Sequence, residues 1–146
     1  MEKDIVIRRA RIDDAPALYE INRDALGYDF DGQQTRARLC AVVNTQNNRL
    51  YVALVNGCVA GYIHAADYDC IYAPSVKNLL ALAVREDARG LGVGRMLLRE
   101  AEQWALDSGA QGIRLSSGAD RTGAHAFYQA CGYTHRKDQK NFIKLF

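Results

Sequence analysis

Apolar and polar positions follow two different periods along this chain, and each change of period marks an element. Ile5-Val6-Ile7, running on through Arg8 to Arg11, reads as a short first strand. Asp13, Asp14 and Pro16 then give a helix start, because acidic residues and an early proline both suit a first helical turn. Ala17, Leu18, Ile21 and Ala25 fall on one face of that helix, with Leu26 near its end. Gly27-Tyr28-Asp29-Phe30-Asp31-Gly32 breaks it, and a second helix over about 33–44 offers Leu39, Val42 and Val43 to a core. After a polar turn at 45–48, two β-like runs, 49–55 and 58–65, flank Asn56-Gly57. An Asn-Gly pair in that setting suits a type I′ turn, so the spacing predicts a hairpin.

The segment 66–75 is polar and aromatic and predicts a loop, and the apolar stretch 76–84 predicts a buried strand. A glycine-rich turn follows, then an amphipathic helix to about Ser108. Val93, Leu97, Ala101, Trp104 and Ser108 lie on one side of it, and Gly109 is placed as its terminator. Ile113-Arg114-Leu115-Ser116 reads as a short strand and Arg121 to Cys131 as a helix ending at Gly132. Tyr133 and Phe142-Ile143-Lys144-Leu145 predict two closing strands. The predicted order is β-α-α-β-β-β-α-β-α-β-β. A hairpin feeding the central strand implies an antiparallel meander, and strand-helix-strand over 76–116 implies one right-handed crossover with a parallel pair. The class is therefore α/β (α+β), a mixed, mostly antiparallel sheet flanked by about four helices. With no repeat, low-complexity segment or linker, residues 1–146 read as a single domain.

Composition narrows the function without naming it. A formal net charge of +2, from 19 basic and 17 acidic residues, gives no reason to expect a nucleic-acid or membrane surface. No apolar run approaches the ~20 residues that span a bilayer. Met1-Glu2-Lys3-Asp4 leads straight into the first strand, which reads against a signal peptide. Cys40, Cys58, Cys70 and Cys131 are widely spaced, with no C-x-x-C and no nearby histidine pair. Buried thiols in a reducing cytoplasm are the expectation, and no metal site is expected.

Candidate chemistry centres on Arg89-Gly90-Leu91-Gly92-Val93-Gly94. The run sits between a buried strand and a helix start, where unpaired amides and the helix dipole favour an anion. Glycines let a phosphate approach the backbone, and Arg89 and Arg95 add cationic donors at either end. A P-loop would need Gly-Lys-Ser/Thr, which is absent. A dinucleotide fingerprint needs a third glycine where Arg95 or Leu97 stands. The run instead resembles the R/Q-x-x-G-x-G/A signature of the GNAT superfamily of acetyl-CoA-dependent N-acetyltransferases, and Leu82-Ala83-Val84-Arg85-Glu86-Asp87 resembles that family's strand exit. The predicted element order is the one that the GNAT fold shows.

A second segment, Arg121-Thr122-Gly123-Ala124-His125-Ala126-Phe127-Tyr128-Gln129-Ala130-Cys131-Gly132-Tyr133, resembles the family's A-x-x-F/L-Y-x-x-x-G-F/Y. Helical spacing gives it an apolar stripe (Ala124, Phe127, Cys131) and a polar one (Arg121, His125, Tyr128). By resemblance, Tyr128 is the general acid that protonates the departing thiolate; on spacing alone it reads as a packing residue. The resemblance assigns acetyl-CoA binding to Leu82, Ala83 and Val84, through backbone amides, and to Arg89, Gly90, Leu91, Gly92, Val93, Gly94 and Arg95. Arg121 departs from the asparagine many members carry, and reads either as a CoA-phosphate ligand or as a solvated helix-start residue. For the general base, Asp29, Asp67, Asp69, His64 and a water relay stay open. An acidic, aromatic rim including Tyr28, Asp29, Asp67 and Tyr68 suits a cationic amine acceptor. The reaction implied is direct acetyl transfer to a small-molecule or protein amine, with room for a homodimer. The other reading is a non-catalytic acyl-CoA-binding sensor or interaction module on the same fold.

Overall fold

A computed structural model describes residues 4–146, so the reading of Met1–Lys3 lies outside the described residues. The chain divides into two compact units, Met1–Leu115 and Ser116–Phe146. In the first, strands β1 (Ile5–Arg9), β2 (Asn48–Val55), β3 (Cys58–Tyr68), β4 (Val76–Val84) and β5 (Ile113–Leu115) form one sheet in the order β1-β2-β3-β4-β5. β1 to β4 pair antiparallel and β5 joins β4 parallel, which is the predicted meander with one crossover. At the β2–β3 turn Asn56 has φ 51° and Gly57 φ 85°, the two left-handed residues a type I′ turn requires.

Helices α1 (Ala15–Leu26) and α2 (Gly32–Val43) cover one face of this sheet, where Leu18, Ile21 and Leu39 pack with Leu50, Val52, Tyr62 and Ala83. Helix α3 (Val93–Asp107) covers the other. There Leu97 lies 3.4 Å from where a Cβ on Gly61 would stand, and the Ala83 carbonyl is at 2.9 Å. Only glycine lets β3 pass that close to β4. The α3 stripe is buried as its spacing predicts, through Val93, Leu97, Leu98, Ala101, Trp104 and Ala105, whereas Ser108 ends exposed.

The start of α1 shows how a local signal can be redirected. Asp14 precedes the helix as expected, but its side chain does not cap it. Its carboxylate accepts the Arg11 amide at 2.8 Å and a two-pronged contact from the Arg8 guanidinium at 2.8 and 2.9 Å. Asp14 is 6% exposed and Arg8 24%. Burial alone would raise the Asp14 carboxyl, but the Arg8 guanidinium and the Arg11 amide outweigh it and hold it below its ordinary value. Because the folded value is the lower one, the stabilisation is fully present above the unfolded carboxyl value near ~4 and is lost as pH falls through the folded one. Arg8→Ala leaves a buried carboxylate with the Arg11 amide but no paired charge and should cost about 3 kcal/mol at pH 7. Urea unfolding checks it. The gap between variant and wild-type stabilities should narrow as pH falls from about 4, and a gap that stays constant as pH falls further would refute the pairing account.

Strand β4 departs from a plain buried strand. Ala65 pairs with Leu79 and His64 with Ala81, so Leu80 is an extra residue, 54% exposed. This bulge re-phases the side chains. Before it, Lys77 faces α3, its ammonium 4.2 Å from the Trp104 ring centre; after it, Ala83 faces the α1–α2 side. The segment 66–75 is a shorter loop than predicted, because β3 runs on to Tyr68. There Asp67 stands opposite Lys77 and the two form a 2.6 Å ion pair, a cross-strand contact that holds the end of the ladder together.

In the second unit, α4 (Thr122–Ala130) is followed by Gly132 at φ 94°. The two predicted closing strands are not formed: residues 133–146 carry no strand. Phe142, Ile143, Leu145 and Phe146 are all exposed, and a strand's amides need a ladder that this segment does not have. The adjacent apolar pair Phe142-Ile143 also breaks the alternation that would give the segment a buried face.

Candidate active site

Arg85 to Ala88 carry the chain from β4 through one short turn into the glycine loop. Gly90 (φ 81°) and Gly92 (φ 82°) both take the left-handed conformation, and a Cβ at either would meet nothing within 4 Å. The glycines are there for backbone direction and for an open surface. α3 begins at Val93 with no side-chain cap, and the first helical bond is Met96 N–H to the Gly92 carbonyl at 3.0 Å. The amides of Val93, Gly94 and Arg95 therefore stand ahead of the hydrogen-bonded ladder, at the positive end of the helix dipole. The surface suits a phosphate group: open, amide-lined and free of a capping side chain. Arg95 is exposed beside it, while Arg89 turns back so that its Nε lies 3.4 Å from the Val84 carbonyl oxygen.

The end of β4 supplies a second set of backbone groups outside the sheet ladder. β5 pairs only with Lys77, Asn78 and Leu79, so β4 has no ladder partner on that side from Leu80 onward among the described residues. Arg85 donates its amide to the Ala60 carbonyl at 2.7 Å, which fixes the alternation. Arg85 and Ala83 turn their polar groups toward β3, so Leu82 and Val84 turn theirs to the open edge. Of the three residues expected to serve a thioester, two are free to do so and Ala83 is engaged in the sheet.

The stripe on α4 also resolves into separate roles. His125 has Nε2 2.8 Å from the Gly118 carbonyl, to which it donates, and so closes the turn before the helix. Arg121 stands exposed at the helix N-cap. The Tyr128 ring packs edge-on to Phe127 at 5.3 Å and against Tyr133 at 5.9 Å. Burial raises its phenol above the ordinary value, against a lowering by Arg121, and its hydroxyl has no hydrogen-bond partner among the described residues. It therefore carries its proton at neutral pH.

The rim residues separate. Tyr28 and Asp29 lie in the α1–α2 connection, where Asp29 accepts a 3.3 Å hydrogen bond from the Tyr19 hydroxyl. Asp67 is tied to Lys77, and the Tyr68 ring is covered by the Arg114 guanidinium at 4.5 Å. Asp69 receives the Ser75 hydroxyl at 2.5 Å. A different acidic wall exists that the spacing did not reveal. Glu20 and Asp24 of α1 line a cleft of 320 Å³ with Arg85, Glu86 and Asp87 at the exit of β4, together with Ile21 and Ala25; Asp24 is paired with Arg23 at 2.8 Å and Asp87 with Arg85 at 3.4 Å. No sequence signal could find it, because the two halves lie some sixty residues apart and meet only in the fold. A second cleft of 360 Å³, around Arg49 and Trp104, lies on the far half of α3.

The chain matches the acetyltransferase (GNAT) family over residues 15–133. It is 30% identical over 128 residues to the aminoalkylphosphonate N-acetyltransferase of Salmonella typhimurium, covering 87% of this chain and 83% of that one. Among solved structures it resembles the aminoglycoside N-acetyltransferase AAC(6')-Iy in complex with CoA, with a TM-score of 0.88 at 15% identity over 99% of this chain and 97% of that one. The same enzyme with the bisubstrate analogue CoA-S-monomethyl-acetylneamine gives a TM-score of 0.86 at 16% identity, over 98% and 99% of the two chains. These structural likenesses are of fold. With the family match spanning most of the residues, the chain belongs to the acetyltransferase (GNAT) family, the acetyl-CoA-dependent N-acetyltransferases.

Proposed function

We propose that this enzyme transfers the acetyl group of acetyl-CoA directly to a primary amine within a ternary complex, with Tyr128 as general acid. The observation that carries this reading is a run of backbone donors outside the hydrogen-bonded ladders, in two stretches: Leu82 and Val84 on the open edge of β4, and the uncapped first turn of α3. That run suits a ligand with an amide-bearing arm and a pyrophosphate. Residues 89–95 hold the phosphates, and Leu82 and Val84 orient the arm and polarise the thioester carbonyl. The neutral amine attacks the carbonyl carbon, the C–N bond forms and the C–S bond breaks. The sulfur leaves with the Tyr128 proton, the amine's surplus proton passes to solvent, and Tyr128 regains a proton from solvent. The family match runs through both compact units, which supports one domain acting as a whole.

The acceptor class follows from chemistry and from the relative. In the cleft between α1 and the β4 exit four carboxylates outnumber the one arginine, Arg85, an excess that suits a cationic amine, and the Salmonella relative makes an aminoalkylphosphonate the first probe. The experiment is to offer acetyl-CoA with aminoalkylphosphonates, aminoglycosides, polyamines and peptides while following free thiol. Amine-dependent thiol release supports the transferase. CoA binding without release for any amine would support a non-catalytic acyl-CoA sensor instead.

Arg121 is exposed at the start of α4, where a guanidinium can meet a phosphate on two prongs. If it does, Arg121→Ala should weaken CoA about tenfold more than dephospho-CoA or pantetheine analogues. Calorimetric titration of all three reads this out. Equal losses would assign Arg121 to supporting the helix alone.

A further inference from the structure

The least explained polar group in the first unit is His64, on the α1–α2 face of the sheet. It lies on β3 opposite Leu50 of β2 and Ala81 of β4, two residues from Tyr62 on the same face. Its ring is buried enough that its proton affinity falls to about 4, with burial as the cause. One contact fixes its tautomer. Nε2 lies 2.8 Å from Oδ1 of Asn48, while the Asn48 amide nitrogen donates to the Thr45 hydroxyl at 2.8 Å and approaches the Asn47 side-chain oxygen at 3.4 Å. The Asn48 amide is thus oriented with its oxygen toward the ring, so Nε2 carries the hydrogen and Nδ1 carries a lone pair. No residue donates to Nδ1 among those described, and Nδ1 is not among the fully enclosed unpartnered atoms, of which Ser117 Oγ is the example. A neutral ring therefore keeps Nδ1 as an acceptor that no described residue supplies with a hydrogen.

We infer that His64 is a positioning residue for the acceptor amine, whose N–H it receives at Nδ1, with Asn48 holding the ring in the tautomer that makes this contact. The inference deepens the transferase reading and rests on it. Only Ala81, half buried and small, separates His64 from the part of β4 whose far edge is open. Leu82 and Val84, with their outward amides, follow within one to three residues, about 3–10 Å along the strand. An amine that attacks a thioester must aim its lone pair at the carbonyl carbon, so its N–H bonds point elsewhere and need an acceptor. A neutral imidazole nitrogen supplies one without charge. His64 does not take the proton. A primary ammonium titrates near ~10, several units above the buried ring, so transfer to His64 would be steeply uphill and the hydrogen bond is what remains.

The test joins a spectrum to kinetics. Protein labelled with ¹⁵N-histidine has three imidazoles, and the His64 signals are identified by their loss in His64→Gln. At pH 7 the expected pattern is a neutral ring protonated at Nε2, and the Nδ1 resonance should move when 2-aminoethylphosphonate, an aminoglycoside or spermidine is added to the CoA-bound protein. A charged ring, an Nδ1-protonated ring, or an Nδ1 resonance that none of these amines moves overturns the inference, whether or not the wild type turns over. Should no amine release thiol while one still moves Nδ1, the transferase reading fails and the amine contact stands. For any amine that does turn over, His64→Phe should raise the amine KM roughly three- to tenfold, with kcat and the acetyl-CoA KM within about twofold. Asn48→Ala should give a smaller rise, because the tautomer is then free. A purely structural role for His64 predicts instead a lowered melting temperature, with both KM values unchanged.

Discussion

Gly94→Leu is expected to remove most of the thermal stabilisation that CoA gives this protein, while the ligand-free variant melts at or above the wild-type temperature. The asymmetry comes from where the three glycines stand. Gly90 and Gly92 are left-handed, so a side chain at either strains the backbone by about 1–2 kcal/mol before any ligand arrives. Gly94 is the second residue of α3 and has helical neighbours. There leucine is the better helix former by up to ~1 kcal/mol, and its side chain would stand where a phosphate approaches the amides. With CoA at a hundred times its wild-type Kd, the stabilisation is about 2.7 kcal/mol. For a chain of this length that is on the order of 5–10 °C. A hundredfold weaker variant keeps only about 0.4 kcal/mol, a shift of about 1 °C. Gly92→Ala serves as the contrast, lowering the ligand-free melting temperature through strain. A Gly94→Leu protein that keeps the full CoA shift would place the phosphates elsewhere.

The residues that were legible from sequence are those whose conformation is set by their near neighbours. Asn56-Gly57 needs two left-handed residues and has them. Gly27 and Gly109 end their helices in the left-handed region. The glycine loop was readable for the same reason, since spacing alone puts open backbone before a helix. Long-range pairing was not readable. The bulge at Leu80 exists because two strands disagree by one residue, and neither strand announces it. Asp67 looked like a loop acid until Lys77 came opposite it, and Asp14 looked like a helix cap until Arg8 reached it from β1. The closing strands failed for a related reason: Phe142 to Leu145 is apolar enough, but apolarity does not supply a ladder partner.

Those limits bear on the site. Backbone chemistry could be located because glycines and strand ends mark it. The side chains around the acceptor could not, since Glu20 and Asp24 meet Glu86 and Asp87 only through the packing of α1 beside β4. His64 shows both sides of this. Its alternation on β3 was legible, but its tautomer depends on Asn48, sixteen residues away.

Tyr128→Phe is expected to lower kcat by about ten- to a hundredfold while CoA affinity stays within twofold. The magnitude follows from the leaving group. General acids contribute ~10²–10⁴-fold, but a thiolate departs tolerably without help, which places this case at the low end or below. The substitution keeps the ring and hence its edge-on contact with Phe127 and its packing on Tyr133, so stability should change little. No hydrogen bond from the hydroxyl is lost among the described residues, which separates this variant from one that damages the fold. Burial raises the phenol above its ordinary value, so the proton is present throughout the neutral range, and wild-type kcat should hold without an alkaline fall until about pH 10. In Tyr128→Phe the residual rate should depend on solvent as the proton source and rise with general acids in the buffer, a response the wild type should lack. Full activity in the variant, or a drop in melting temperature that tracks the loss of rate, would return Tyr128 to a packing role.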